Sequence, residues 1–487
     1  MGTGEGEESL LSPPTKVELG SRLWEEAKRT AYIAGPMVAV NLSLYFLQII
    51  STMMVGHLGE LYLSSTALAV SFCAVTGFSL IFGLSSGLET LCGQSYGARQ
   101  YHRFGTQIHT GVLSLVVSSL PLSLLWLYLE RILTLVGQDP EISAEAGRFA
   151  VRLIPALYAY AVLQPLIRYY QTQSLVIPMV VSSCVTLIFH VIICWMLVFR
   201  SGWGNLGAAT AIGLSYWLNV ILLSLYVIYS PKCAKTRISP SMEVIHTVGE
   251  FFSLAIPSAI MICLEWWSFE LLTMLSGLLP NPKLETSVLS VCLATLASLY
   301  TIPDGLGAAA STRVSNELGA GNPRAAREAA AAVMLITLSV ATILCTFLFA
   351  ARHVFGCLFS DSEEVISYVA SMAPLLCLSV ALDNLQGVLS GIARGCGWQD
   401  IGAYINLGAY YLCGIPVAGI FGFWAQLRAM GLWIGILTGA SVQTILLFIV
   451  TLRTDWRNEA NKARERVFQR RAPVDDAEAP ISEQPSV

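Results

Sequence analysis

The stretch from Ala255 to Gly277, AIPSAIMICLEWWSFELLTMLSG, is apolar and long enough to cross a bilayer, yet it carries two carboxylates, Glu265 and Glu270. A charge near the bilayer centre costs about 2.5–3.5 kcal/mol on insertion scales, so such a group faces a cavity, pairs, or binds a proton. The two acids lie five residues apart, roughly 140° around a helix, so one environment cannot shelter both. Trp266 and Trp267 follow at about 100° and 200° from Glu265, so not both can share its face, and one meets lipid or a neighbouring helix. An aromatic ring beside a carboxylate in a wet cavity favours organic cations, by about 0.5–2 kcal/mol.

Two further acids lie in apolar runs of the second half. Asp383 sits in SVALDNLQGVLSG with Asn384 and Gln386 close behind, and Asp304 sits in TIPDGLG between Pro303 and Gly305. Glu265 and Asp383 are expected to converge inside one bundle. Asp304 is read either as functional or as a cap for backbone donors freed at a glycine-rich break. The long apolar runs of the first half hold almost no acid beyond Glu89. Their neutral groups Asn41, Tyr45 and Gln48 suit orienting a ligand, although each taken alone reads first as an interhelical hydrogen bond or packing contact. Six histidines and twelve cysteines are scattered without ligand spacing or a CxxC pair, so neither a metal site nor a catalytic constellation is expected. The absence of GxxxxGK[ST] disfavours ATP binding.

Positioning these groups requires a membrane scaffold. The chain of 487 residues is 55% hydrophobic and only 12% charged, with a net charge of −4, against roughly 25% charged in soluble domains. No nucleic-acid footprint is present. At about 20 residues per span, twelve helices fall near 31–54, 62–88, 106–129, 149–172, 176–199, 207–229, 250–279, 285–312, 329–351, 366–392, 401–421 and 431–452. Sorting the connections alternately places 21 Lys and Arg on the side of the termini and 7 on the other, so both termini are expected in the cytoplasm. Arg168 and Arg394 are counted among those flanking charges. The polar first 30 residues lack a signal-peptide pattern, and the charged stretch 453–487, ending DDAEAPISEQPSV, reads as a disordered cytoplasmic tail.

An internal repeat appears at an offset of about 221 residues. Pro36 meets Pro257, Gly83 meets Gly305, and TLCGQSYGARQ from Thr90 lies over TRVSNELGAGN from Thr312, with Gly97 over Gly319. GQDPE and FSDSE also correspond, as do Pro155 and Pro374. Six spans per repeat make the repeat parallel, with a pseudo-two-fold axis along the membrane normal and a cavity between the halves. The predicted fold is an all-α polytopic membrane protein of two six-helix lobes, 31–229 and 250–452, joined by a linker at 230–249. Pro36, Pro257, Pro303 and Gly305 are candidate hinges. The glycine-rich segments after spans two and eight read as cytoplasmic loops serving close helix approach and a hinge.

CGQSYGA at Cys92–Ala98, LEWWSFE at Leu264–Glu270, STRVSNELGAGNP at Ser311–Pro323 and GVLSGIARGCGWQ at Gly387–Gln399 stand in order across nearly the whole chain. With them the sequence resembles the multidrug and toxic compound extrusion transporters of the plant DETOXIFICATION branch. The resemblance implies a V-shaped central cavity and cation-coupled export of amphipathic, often cationic, organic compounds. Glu265 and Asp383 match the family's cation-binding acids, and Glu270 matches a second glutamate of eukaryotic members. Asn41 stands where some prokaryotic relatives have aspartate, which leaves coupling to the second lobe.

The expectation is therefore a proton-coupled antiporter working by alternating access, with Glu265, Asp383, Glu270 and Asp304 as coupling candidates. Asn41, Tyr45, Gln48, Trp266, Asn384 and Gln386 are candidate cavity residues. No cofactor is expected; the coupling ion is H+, with Na+ as the alternative. Expected partners are small organic substrates, protons and the lipid bilayer, with the protein a monomer in the plasma or vacuolar membrane. Rival readings are a lipid or flavonoid transporter or flippase on the same fold, a channel, and an intramembrane aspartyl protease using Asp304 and Asp383.

Overall fold

The computed structural model describes residues 16–356 and 362–468. Among these residues no strand occurs. Twelve helices are long and apolar enough to span a membrane: α1 Gly20–Gly56, α2 Glu60–Gly97, α3 Tyr101–Leu127, α4 Pro140–Thr172, α5 Val176–Arg200, α6 Asn205–Tyr229, α7 Val248–Ser276, α8 Lys283–Gly319, α9 Pro323–Ala350, α10 Glu363–Cys396, α11 Gln399–Trp424 and α12 Arg428–Leu452. All twelve predicted spans are present.

Helix starts follow local chemistry. Asp139 caps α4, its carboxylate accepting from the amides of Glu141 at 2.9 Å and Ile142 at 3.2 Å, with Pro140 at the first helical position. Asn281-Pro282 and Asn322-Pro323 open α8 and α9 with the same proline placement. The matching FSDSE segment before α10 lies partly outside the described residues.

Several sequence expectations are corrected. The segments after predicted spans two and eight are mostly helix, with only residues 98–100 and 320–322 left as turns, because α2 and α8 run as 38 and 37 residues to Gly97 and Gly319. At about 1.5 Å per residue both exceed a hydrocarbon core of about 30 Å and project from the end of the bundle that carries the described termini. TIPDGLG is not a break either, since α8 continues through Pro303, Asp304 and Gly305. Likewise Pro36 and Pro257 lie inside unbroken helices. The helix of span one begins as early as Lys16. Past α12, where a disordered tail was expected, α13 forms over Trp456–Phe468. It packs because Trp398 donates to Glu459 at 3.1 Å, and Arg103 donates to the carbonyls of Arg466 and Val467, each at 2.8 Å. The rest of the expected tail, with DDAEAPISEQPSV, lies outside the described residues.

The two halves meet along a seam whose contacts come in symmetric pairs. A Cβ on Gly97 would stand 2.7 Å from the Asn316 carbonyl carbon, and one on Gly319 would stand 2.6 Å from Gln94 Cα. Gly97 and Gly319 are repeat mates, as are Gln94 and Asn316, so the two contacts are one contact seen twice. Higher in the bundle, a Cβ on Gly83 of α2 would stand 2.6 Å from Ala259 Cα of α7, and one on Gly305 of α8 would stand 2.8 Å from the Val38 amide nitrogen of α1. These are again repeat mates. Self-complementary contact of this kind is what a two-fold axis produces, and only glycine lets two helix backbones approach so closely. Gly305 is thus a packing residue between α1 and α8.

At the opposite end of the bundle Glu285 is fully buried at the start of α8. It accepts from the Ala429 amide of α12 and the Tyr368 hydroxyl of α10, each at 3.0 Å. Hydrogen bonds to a charged group contribute about 1.5–3 kcal/mol each. Glu285→Ala is therefore expected to lower the unfolding temperature of the detergent-purified protein by several degrees, measured by thermal melting. An unchanged melt would show that this junction does not hold the three helices together.

Candidate functional site

Glu265 of α7 is 6% exposed and receives donors from three other helices of the second half. Gln386 Nε2 of α10 donates to Oε1, which also accepts from Tyr300 OH of α8 at 3.3 Å, and Gln443 Nε2 of α12 donates to Oε2 at 3.2 Å. Gln443 is itself fully committed. Its Nε2 also donates to Asn406 Oδ1 at 2.9 Å, and its Oε1 accepts from Tyr410 OH at 2.8 Å. Asn406 Nδ2 in turn donates to the Met261 carbonyl of α7 at 2.7 Å. With every valence assigned, the amide has one orientation, nitrogen toward the carboxylate. All of these donors are neutral, and Arg394, which lines the same cavity as Glu265 and acts on it electrostatically, forms no ion pair with it among the described residues.

Asp383 of α10 lies one helical turn before Gln386, 5% exposed, with Oδ2 lacking a hydrogen-bond partner. Its charged neighbour is Glu265, and both acids act electrostatically on Tyr300 and Tyr410. The two acids are therefore electrostatic neighbours inside the second half, with Glu265 alone of the two lining the cavity between α7, α8 and α10. Glu270 does not join them. It turns to the first half and accepts from Ser71 of α2 at 3.1 Å. The 140° between the glutamates becomes two sites, one within a half and one across the seam.

A cavity of about 20 Å³, room for a single water, is lined by Glu265, Trp266, Tyr300, Asp304, Ser390 and Arg394. Trp266 stacks on Phe82 of α2 with centroids 5.8 Å apart and planes at 19°. Trp267 donates to the Val75 carbonyl of α2 at 3.2 Å, beside a π-helical turn at Ala74–Phe78 that frees such carbonyls. Both tryptophans thus face α2, and neither is given over to lipid.

The remaining sequence candidates divide. Asn41 Nδ2 donates to Asp304 Oδ2 across the seam at 2.8 Å, so Asp304 bonds a side chain of the other half and caps no broken turn. Tyr45 OH meets Ser298 Oγ at 3.2 Å, also across the seam. Gln48 lines a separate cavity of about 10 Å³ in the first half, with Ser51, Thr52 and Thr66. Asn384 Nδ2 is spent on the Val380 carbonyl one turn back at 2.7 Å. Neither Gln48 nor Asn384 touches Glu265.

Sequence reasoning missed Tyr300, Asn406, Tyr410 and Gln443. The available signal was a glutamine and an asparagine inside apolar spans. It also misplaced Arg168 and Arg394, which are not flanking charges: they are 3% and 7% exposed, and both pair with Glu89.

A family model described as MatE matches residues 36–196 and 257–420, one segment in each half. Protein DETOXIFICATION 14 of Arabidopsis thaliana is 58% identical over 464 residues, covering 95% of this chain and 96% of that protein. Protein DETOXIFICATION 12 of the same plant is 54% identical over 477 residues, covering 96% and 99%. Among solved structures, the crystal structure of the eukaryotic MATE transporter AtDTX14 matches with a TM-score of 0.89 at 59% identity, covering 92% of this chain and 100% of that one. A MOP superfamily transporter from Pyrococcus furiosus shares the fold, with a TM-score of 0.80 at 16% identity over 93% of this chain and 100% of that one. With a matching segment in each half, and more than half of its residues identical to these relatives over nearly the full length, this chain belongs to the MATE family of membrane transporters.

Proposed function

We propose that this transporter exports amphipathic, often cationic, organic compounds in exchange for protons, and that Glu265 and Asp383 carry the exchange. One observation bears most of the weight: two buried acids of the second half are electrostatic neighbours, and among the described residues neither forms an ion pair. Two such charges repel, and a proton on either relieves the repulsion. Trp266, stacked at the edge of the cavity that Glu265 lines, supplies a ring face for an organic cation.

In the proposed cycle the termini lie in the cytoplasm, as the lopsided distribution of Lys and Arg supports. Halves 31–229 and 250–452 rock about the glycine seam. A proton entering from the outer side neutralises the pocket, loosens the hold of Gln386, Gln443 and Tyr300 on Glu265, and lets α7 and α8 repack against the substrate. Pro36, Pro257 and Pro303 each remove one backbone hydrogen bond from α1, α7 and α8, and those are the proposed bending points. Glu270, bonded across the seam to Ser71, reports closure. Inward reorientation releases the proton and restores the anionic site. Each proton supplies about 2.3 kcal/mol per 100 mV and about 1.4 per pH unit, enough for tens-fold accumulation. The protein acts as a monomer in the plasma or vacuolar membrane.

Proteoliposomes holding the purified full chain and ethidium as probe test the ion assignment. A pH gradient imposed at equal sodium is expected to drive ethidium uphill, and Asp383→Asn is expected to slow this by about tenfold, the effect of about 1.4 kcal/mol. A sodium gradient that drives transport at equal pH would replace the proton with Na+. Full pH-driven transport by Asp383→Asn would remove that residue from the mechanism.

A further inference from the structure

Near the end of the bundle that carries the termini, three oppositely charged side chains are buried together across the seam. Glu89 of α2 and Arg168 of α4 belong to the first half and Arg394 of α10 to the second, and they are 3%, 3% and 7% exposed. Arg168 Nη1 lies 2.7 Å from Glu89 Oε1, and Arg394 Nε lies 2.9 Å from Glu89 Oε2, so each carboxylate oxygen takes a guanidinium from a different half. Backbone and amide contacts hold the arrangement. Thr90 donates to the Arg394 carbonyl, and Gln171, which accepts from Arg168 at 2.8 Å, donates to the Ala308 carbonyl of α8 at 2.9 Å.

Two guanidiniums on one carboxylate leave an excess positive charge, which is not stable in a buried setting without a counter-charge. Asp304 stands in the right place to supply it. It lines the same small cavity as Arg394, and its charged neighbours are Arg394, Arg168 and Glu89. The neutral groups facing it are Asn41 of α1, which donates to it, Tyr160 of α4, and Tyr300 of its own helix. From α7, Glu265 borders the same cavity. With Glu89 and Asp304 ionised, the four groups sum to zero, and Glu265 and Asp383 are the two acids left outside that sum, with Arg394 acting on Glu265 from across the shared cavity.

We propose that Asp304 is a permanently ionised positioning residue, not a proton carrier. With Glu89, Arg168 and Arg394 it forms a neutral four-charge clasp between the halves, which has to part at the Glu89–Arg394 contact when the transporter opens toward the end carrying its termini. The assignment rests on the proposed coupling role of Glu265 and Asp383, because it says which acids are left over to carry protons. It also gives Arg394 a double position, between the clasp and the pocket where protons are exchanged, so that the charge of that pocket acts directly on the contact that must open.

Two measurements on the full chain in proteoliposomes test it. Asp304→Asn, assayed with ethidium over a range of pH, is expected to slow transport at least about tenfold while leaving the pH of half-maximal residual transport in place; Asp304→Glu, which keeps the charge, is expected to recover most of the rate. If Asp304→Asn fails to fold, the pH profile of Asp304→Glu carries the test alone. A shift of about one pH unit or more in either variant, or loss of pH dependence as expected of Glu265→Gln, would make Asp304 a proton carrier and overturn the proposal.

The second measurement reads the clasp. Asp304→Asn combined with Arg394→Gln keeps the neutral Glu89–Arg168 pair but cuts the tie between the halves. Ser315→Cys, placed beside Gly93 in the seam, in a background without Cys92 and Cys396, is expected to react at least about tenfold faster with an impermeant maleimide added from the side of the termini. Unchanged labelling would show that the contact does not hold the halves together. If Glu265→Gln keeps its pH dependence while labelling still rises, the coupling assignment fails and the clasp stands.

Discussion

Glu265→Gln is expected to lower pH-driven export by about a hundredfold, to the level of uncoupled leak, the effect of about 2.7 kcal/mol. The amide has no proton to exchange at any physiological pH. It also disturbs the pocket, because the carboxylate accepts from Gln386, Gln443 and Tyr300, while a glutamine offers a single acceptor oxygen and turns two donors toward other donors. The two effects are separable. Glu265→Asp keeps an exchangeable proton but withdraws the carboxylate by one methylene, so it should transport slowly with an intact pH dependence. Initial rates of ethidium transport against pH for the three proteins decide the matter. Full pH-driven transport by the glutamine variant would remove Glu265 from coupling, whatever became of its hydrogen bonds.

The second large effect belongs to the seam. Gly319→Val places a Cβ 2.6 Å from Gln94 Cα, where carbon atoms ordinarily keep about 3.5–4.0 Å, so α2 and α8 must part by about 1 Å. Overpacking of this size costs about 1–3 kcal/mol. Because the cost falls only on the conformation in which this end is closed, about 2 kcal/mol shifts the balance between conformations roughly thirtyfold. Transport is expected to fall by that order with the shape of its pH profile retained. Gly97→Val, on the repeat mate, should act equally. Gly249→Val is the matched control, since a Cβ there meets nothing within 4 Å. Equal transport by Gly319→Val and Gly249→Val would show that the halves do not close on this contact.

The two predictions depend on the sequence to different extents. Twelve spans, their order, the acid-bearing α7 and the repeat that pairs Gly97 with Gly319 were readable from residues alone. So was the division of the glutamates, because 140° on a helix separates their surroundings whatever those surroundings are. Each of these is a property of one segment: its free energy of transfer into the bilayer, its periodicity, its likeness to another segment.

What only the tertiary structure decided are relations between segments. Gln443 reaches Glu265 across 178 residues, and Arg394 reaches Glu89 across 305. No local pattern encodes such a meeting, because it depends on how each helix is rotated and how far it projects beyond the membrane. For the same reason Arg168 and Arg394 read as flanking charges. Hydropathy records that a charge stands near the end of an apolar run, but not that the run continues as helix into a neighbour that neutralises it. The helix α13 was lost in the opposite way. Its polar composition matches a solvated tail, and it is ordered by contacts from Arg103 and Trp398, whose energy appears only once the bundle has formed.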